Sequence, residues 1–247
     1  MSSLVARFVL LTALVYSPAF AQAPPPPEPP KVWTGSFNAG LALTSGNSDT
    51  STVNAGYEII YDRQARNRVK SDGLFLRGKT DGELTTQRTV LNARDEYRFH
   101  KRAFFFGQTQ YLRDQFKEIQ YLVAPTGGIG MHLADSPQTK MSVDTGLGGV
   151  WEKNTDRELE SSGAFSYSEK FVHQLTATTT LTESLSGLHR LDDFENALFQ
   201  AGVGLGAGIT THTQLKVEVL NIYKTRPPSP AIEKNDVAVI LAIVYKN

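Results

Sequence analysis

A period of two dominates this chain and leaves few folds open to it. From Trp33 onward, apolar and polar side chains alternate over stretches of ten residues or more, repeatedly, to the end of the sequence. In WTGSFNAGLALT one face carries Trp33, Gly35, Phe37, Ala39, Leu41 and Leu43; the other carries Thr34, Ser36, Asn38, Gly40, Ala42 and Thr44. After the turn-forming run Ser45-Gly46-Asn47-Ser48-Asp49, the next stretch sets Val53, Ala55, Tyr57, Ile59 and Tyr61 against Thr52, Asn54, Gly56 and Glu58. Such alternation marks β-strands, not helices. About twelve segments can be drawn, near 33–44, 50–62, 68–79, 85–99, 103–113, 119–133, 139–152, 160–171, 175–186, 194–209, 214–224 and 236–246. Those at 68–79 and 103–113 alternate poorly, so their registers stay open.

Two classes of protein share this pattern. A soluble sandwich or lipocalin-like barrel turns its apolar face inward, whereas an outer-membrane barrel turns it to lipid and keeps a polar lumen. Segments of about ten residues match a tilted bilayer crossing; soluble strands centre on about 5–6. The connections agree. With a periplasmic N-terminus, the outer connections lie near 80–84, 113–119, 153–159, 187–193 and 225–235 and are mostly the longer, more charged ones. Inner ones such as His100-Lys101-Arg102, Val172-His173-Gln174 and Thr210 to Thr213 are tight. The expected fold is all-β: an antiparallel, transmembrane, up-and-down β-barrel of about twelve strands, spanning residues 33–247.

The segment ahead of the barrel has the pattern of an export signal. Arg7 supplies a basic start, Phe8 to Tyr16 an apolar run, and Ala19-Phe20-Ala21 the small residues that signal peptidase reads. Residues 1–21 are thus the expected signal peptide. Pro24 to Pro30 (PPPPEPP) then forms a stiff polyproline II stretch, making 22–32 a periplasmic tether. The chain has no cysteine, which excludes disulfides, thiolate metal sites, cysteine nucleophiles and a lipoprotein anchor. Basic and acidic residues balance at 25 each, so charge gives no case for nucleic acid. The expected location is the outer membrane, with its lipid and the barrel-assembly machinery as partners. No cofactor, metal or small-molecule ligand is indicated.

Candidate chemistry is sparse. Lipid hydrolases on barrels of this size need a serine and a histidine within hydrogen-bond reach. His100, His132, His173 and His212 fall at or near inner turns and His189 in an outer loop, so catalysis is a distant alternative. Ser45-Gly46-Asn47-Ser48-Asp49 and Asp192-Asp193-x-Glu195 offer oxygen ligands of the kind calcium takes, but ordinary turn chemistry accounts for both. Charge on the lumen parity carries more: Glu58, Arg94, Glu96, Arg98, Asp144 and Glu152, joined by Lys216 and Glu218. In a narrow interior such charges must pair, and the row Arg94–Glu96–Arg98 is the expected centre of a side-chain plug. Lysine should be costly at lipid-facing Leu41, Val143 or Val203 and cheap at Ser36, Asn54 or Ser142. Asp95 and Glu169 fall on the lipid parity, near strand ends.

Trp33-Thr34-Gly35 followed by Ser45-Gly46-Asn47 resembles the start of the YdiY-like salt-induced outer membrane proteins (domain of unknown function 481). The resemblance continues through Arg113-Asp114-Gln115-Phe116 and Gly128-Ile129-Gly130 to Lys234-Asn235-Asp236, and covers nearly all of the chain after the signal. It implies an outer-membrane barrel of unknown biochemical role. One departure is the end, Tyr245-Lys246-Asn247, where such barrels usually finish on an aromatic residue. The functional expectation is a narrow or mostly occluded channel or passive envelope barrel. The alternative is a non-enzymatic structural or binding protein working through its loops.

Overall fold

A computed structural model describes residues 32–44, 50–63 and 66–246. The expected signal peptide 1–21, all of the expected tether but Val32, and the run Ser45–Asp49 lie outside them. Twelve strands follow in order: β1 Trp33–Thr44, β2 Thr50–Asp62, β3 Asn67–Thr80, β4 Glu83–Arg98, β5 Ala103–Asp114, β6 Ile119–Asp135, β7 Thr139–Asn154, β8 Leu159–Gln174, β9 Thr179–Arg190, β10 Ala197–Gly208, β11 Thr213–Lys224 and β12 Asn235–Lys246. One 3-10 turn, Gln115–Lys117, sits between β5 and β6. Each strand pairs antiparallel with its sequence neighbours, and β1 with β12 closes the barrel. That seam is short, running only from Ser36–Lys246 to Ala39–Ile243. Beside it Gly40 is required, because a Cβ there would collide with the Leu241 carbonyl.

Closure removes free sheet edges, and every strand reaches the length that a tilted bilayer crossing needs. The outer skin decides which kind of barrel this is. Leu41, Leu147 and Val239 are 63%, 62% and 61% exposed, among many outward apolar side chains. An apolar band of that extent has no place on a soluble monomer. Aromatic pairs edge it. Trp33–Tyr61 and Phe99–Phe105 meet at 4.5 and 4.4 Å near the end where β1 begins and β12 finishes, the terminal end of the barrel. At the other end His189, Phe194, Phe165 and Tyr167 cluster on the outside. Two aromatic girdles around an apolar belt are the dress of a membrane barrel.

Two readings of the connections need correction. The β3–β4 link is the shortest of all, a two-residue Asp81–Gly82 turn with both φ positive (51° and 83°), a geometry that Asp-Gly favours. Hence not every connection at the loop end, the end opposite the termini, is long; only 191–196 and 225–234 stand out. Strand β9 begins and ends four residues later than the 175–186 read from the sequence. The Thr176 hydroxyl accepts from the backbone N–H of Thr178 and Thr179, folding 175–178 into a turn. As a result His189 is the penultimate residue of a strand and not part of a loop.

Candidate functional site

The inward faces of the strands stack in layers along the lumen, and the most enclosed layer is apolar. Val90, Leu112, Ile119, Leu122, Ala124, Val150, Ala164, Leu188, Leu198 and Ile222 form one buried cluster, with Leu74 packed against it. Its members come from eight consecutive strands, β4 to β11, and Leu74 adds β3, so the cluster runs three-quarters of the way round the interior. Leu112, Ile119 and Ala164 have no exposed surface. A lumen filled by charge alone is therefore not what the chain builds. The residues responsible sit on the same parity as the charges, two positions away from them.

On the loop-end side of this layer lie two buried ionic knots. The Lys224 ammonium, on β11, reaches across to both carboxylate oxygens of Glu152 on β7, at 2.7 and 2.8 Å. Arg88 on β4 donates to Asp114 at 2.7 Å and, across the lumen, to Asp236 on β12 at 2.9 Å. Asp114 also caps the 3-10 turn, accepting from the backbone N–H of Phe116 and Lys117. That turn tips the fully buried Lys117 inward, where it pairs with Asp236 at 3.2 Å and donates to the carbonyls of Glu233 and Lys234. Two short motifs of the family resemblance, around Asp114 and Asp236, thus meet in one knot. Above it the 225–234 connection is tied down by Arg226 to Asp193 and Glu195, and by Arg157 to the Pro228 carbonyl.

Toward the termini the lumen turns polar. Arg94 donates to Glu96 (2.9 Å), Gln108 (2.7 Å) and Asp144 (2.9 Å), and its guanidinium lies 4.0 Å from the ring centroid of Phe106. Lys70 adds a 2.8 Å bond to Glu96, and the Ser168 hydroxyl donates to Asp144. Of the six charged residues read from the sequence, Arg94, Glu96 and Asp144 are thus brought together. The other three are not. Arg98 turns to Asp62 near the mouth, Glu152 belongs to the Lys224 knot, and Glu58 meets Lys170 of β8, half-way round the barrel, at 3.4 Å. Lys216 and Glu218 pair with each other at 2.8 Å along β11. Trp33 and Gly35 open β1 on its outer face, whereas Ser45, Gly46 and Asn47 lie outside the described residues.

Asn54 is not an open lumen position. It is 3% exposed and donates to the Leu241 carbonyl beside the seam, so a lysine there has no room. The buried side-chain oxygens of Thr126, Ser166, Asn54 and Asn154 have no protein partner; ordered water is the usual answer to such groups. Sequence reasoning missed Arg88, Asp236 and Lys224, although inward parity marked each of them, and it missed Lys70 and Asp114, which fall in a stretch of open register and at the edge of a connection. Lys117 lies in a connection, where no periodicity could have marked it.

Catalytic and metal chemistry find little footing. Among the described residues no serine hydrogen-bonds a histidine. His173 meets the Thr139 hydroxyl at 2.9 Å, His189 the Phe194 carbonyl, and His212 its neighbour Thr211. No cluster of three His, Asp or Glu among them could hold a metal ion. The Asp192–Glu195 carboxylates are instead matched by arginine. Arg190 grips Asp192, holding its carboxyl well below the usual range, and Arg226 takes Asp193 and Glu195.

The architecture has a likeness among solved structures, and the sequence matches a known family. The family described as "Protein of unknown function, DUF481" matches residues 37–246. The uncharacterized protein YdiY of Escherichia coli (strain K12) is 22% identical over 238 residues, covering 96% of this chain and 92% of its own length. Among solved structures, the NanC porin superposes at a TM-score of 0.50 and 5% identity, over 86% of this chain and 96% of that one. An outer membrane channel from Pseudomonas putida F1 aligns over 87% and 95% of the two chains, at a TM-score of 0.49 and 13% identity. The porin likeness concerns the fold alone. Matched along almost the whole of its barrel, the chain belongs to the DUF481 family of proteins of unknown function.

Proposed function

We propose that this chain is a passive, non-enzymatic barrel of the outer membrane, closed by its own side chains toward the loop end and open to water from the end that carries the termini. The observation that supports closure best is the apolar layer spanning β3 to β11, capped by the buried Lys224–Glu152 and Arg88–Asp114–Asp236 knots. Ions cross such a layer only with heavy desolvation. Two features support an outward-facing loop end: the longest connections gather there, and barrels of this kind keep their short turns periplasmic. The test is conductance in planar bilayers. The wild-type protein should give no steady ohmic steps in moderate salt, and regular steps would overturn the reading. Orientation is testable separately, since the chain has no cysteine. A single cysteine at Asp193 should react with an impermeant thiol reagent on intact cells, and one at Lys101 should not.

A second reading, a binding or structural barrel working through its loops, draws on how firmly the 225–234 connection is strapped down. The two readings part on the variant Arg157→Ala/Arg226→Ala, which loosens the strap and leaves the apolar layer in place. If the loops do the work, this variant should fail to complement an envelope defect of a strain lacking the protein; if the closed barrel does, it should complement fully.

A further inference from the structure

The lipid-facing skin of the barrel sorts its charge by height. By strand alternation, the lysines and arginines turned outward are Arg77, Lys79, Arg113 and Lys153, all within the last turns of their strands at the loop end. The outward acids Asp95, Glu169 and Glu183 lie in the opposite half; Glu83, at the β3–β4 hairpin tip, is the exception. Arg77, Lys79 and Arg113 are exposed, and none of the three takes part in an ion pair or side-chain hydrogen bond among the described residues. Arg77 and Arg113 flank β4, where they pair with Gln87 and Thr89, and so stand two strand spacings and two residues apart, about 12 Å.

Beside Arg113 the wall opens. The β5–β6 ladder jumps from Leu112–Leu122 to Asp114–Ile119, and the β6–β7 ladder skips at Gln120. Extra residues of this kind bend a strand away from its neighbour. The result is an open groove of 480 Å³, lined by Tyr111, Arg113, Gln115, Gln120, Tyr121 and Thr155, with Glu118 as its one acid. Beside it on β3 and β4 the same outer face becomes apolar: Phe75 lies across Thr89 from Arg113 and Leu91 pairs with Tyr111, at 40% and 42% exposure. From the loop end downward, then, this face offers the amides and phenol rings of the groove, with unmatched guanidinium and ammonium groups at its edge, and then hydrocarbon. A forked guanidinium suits phosphate oxygens. Aromatic faces with a few polar groups suit a sugar ring.

We propose that this face docks a phosphorylated glycolipid of the surrounding leaflet, with phosphates at Arg77 and Arg113, its sugar in the β5–β6 groove and its acyl chains along Phe75 and Leu91. The proposal rests on the reading of the chain as a membrane barrel whose loop end meets the outer leaflet. It is tested with the full chain refolded in neutral detergent and examined by native mass spectrometry. The probes are an acylated glucosamine disaccharide bearing two phosphates, its dephosphorylated counterpart, and phosphatidylglycerol. The bisphosphorylated lipid should be retained in preference to the other two. The triple variant R77S/K79S/R113S should lower its retention roughly tenfold to a hundredfold; K101S/R102S, at the opposite end, should not. Equal retention of the three probes by the wild-type protein, a comparison that needs no variant, would overturn the proposal. So would unchanged retention in a triple variant that still shows heat-modifiable migration. Cell fractionation decides the outer-membrane reading independently: recovery in another compartment would sink that reading, whatever the micelle result.

Discussion

Two ion pairs of identical chemistry cross the same lumen in opposite surroundings. Lys224 and Glu152, toward the loop end, are each 4% exposed, whereas Lys170 and Glu58, nearer the termini, are 53% and 45% exposed. The first pair sits against packed Val150 and Ile222, two residues along on the same strands. The second hangs beside an open stretch of wall where β9 presents Thr180, Thr182, Ser184 and Ser186 and β10 presents glycines. A charge without water must keep its partner; a charge in water loses little when the partner goes. The first pair therefore sits in a core and the second on a surface, although the same lumen holds both.

That contrast can be broken by substitution. Glu152→Ala strands the Lys224 ammonium in a dry site and should cost about 3–5 kcal/mol in urea titrations of the refolded protein. Replacing both partners by Met and Leu should restore most of the loss. If Glu152→Ala is nearly silent, water reaches the knot and the lumen is open. Within the apolar layer, Leu122→Ala should cost about 2–5 kcal/mol, with values near the top of that range if the surrounding residues cannot collapse into the gap. Lysine at lipid-facing Leu41 should cost about 2–4 kcal/mol, and at the exposed lumen position Ser184 far less. Equal losses at the two would mean that the faces have been assigned the wrong way round. The smallest effect belongs to Lys170→Ala, which should fall within about 0–1 kcal/mol because water screens the Glu58 carboxylate.

The strand pattern was legible where the two faces differ in chemistry. Strands β1 and β2 run over the residues that alternation marks, 33–44 and 50–62. It blurred where both faces are apolar for different reasons. On β5, Phe104 and Leu112 point into a packed interior and Phe105 faces lipid, so the alternation cancels. The same cause hid the plug, since a valine such as Val90 or Val150 on lumen parity reads as noise until its partners across the barrel are known. β9 slipped because its Thr- and Ser-rich start offers no contrast to fix a boundary, and a turn closed by the Thr176 hydroxyl set it instead. Pairings such as Arg88 with Asp236, 148 positions apart, depend on barrel closure, which no local pattern encodes.

The short β1–β12 seam carries a consequence in time. It joins Ser36 to Lys246 and Ala39 to Ile243, strand pairings of greatest sequence separation among the described residues, and it is the step that ties up the two outer edges of the sheet. Until β12 has been synthesised and delivered, a row of backbone N–H and C=O groups on β1 faces hydrocarbon with nothing to bind, which a membrane does not tolerate. Partial barrels are thus no resting place along the assembly route. Insertion must be held back, or the edges must be occupied by another protein's strand, until the last twelve residues of sheet arrive and the ring closes upon itself.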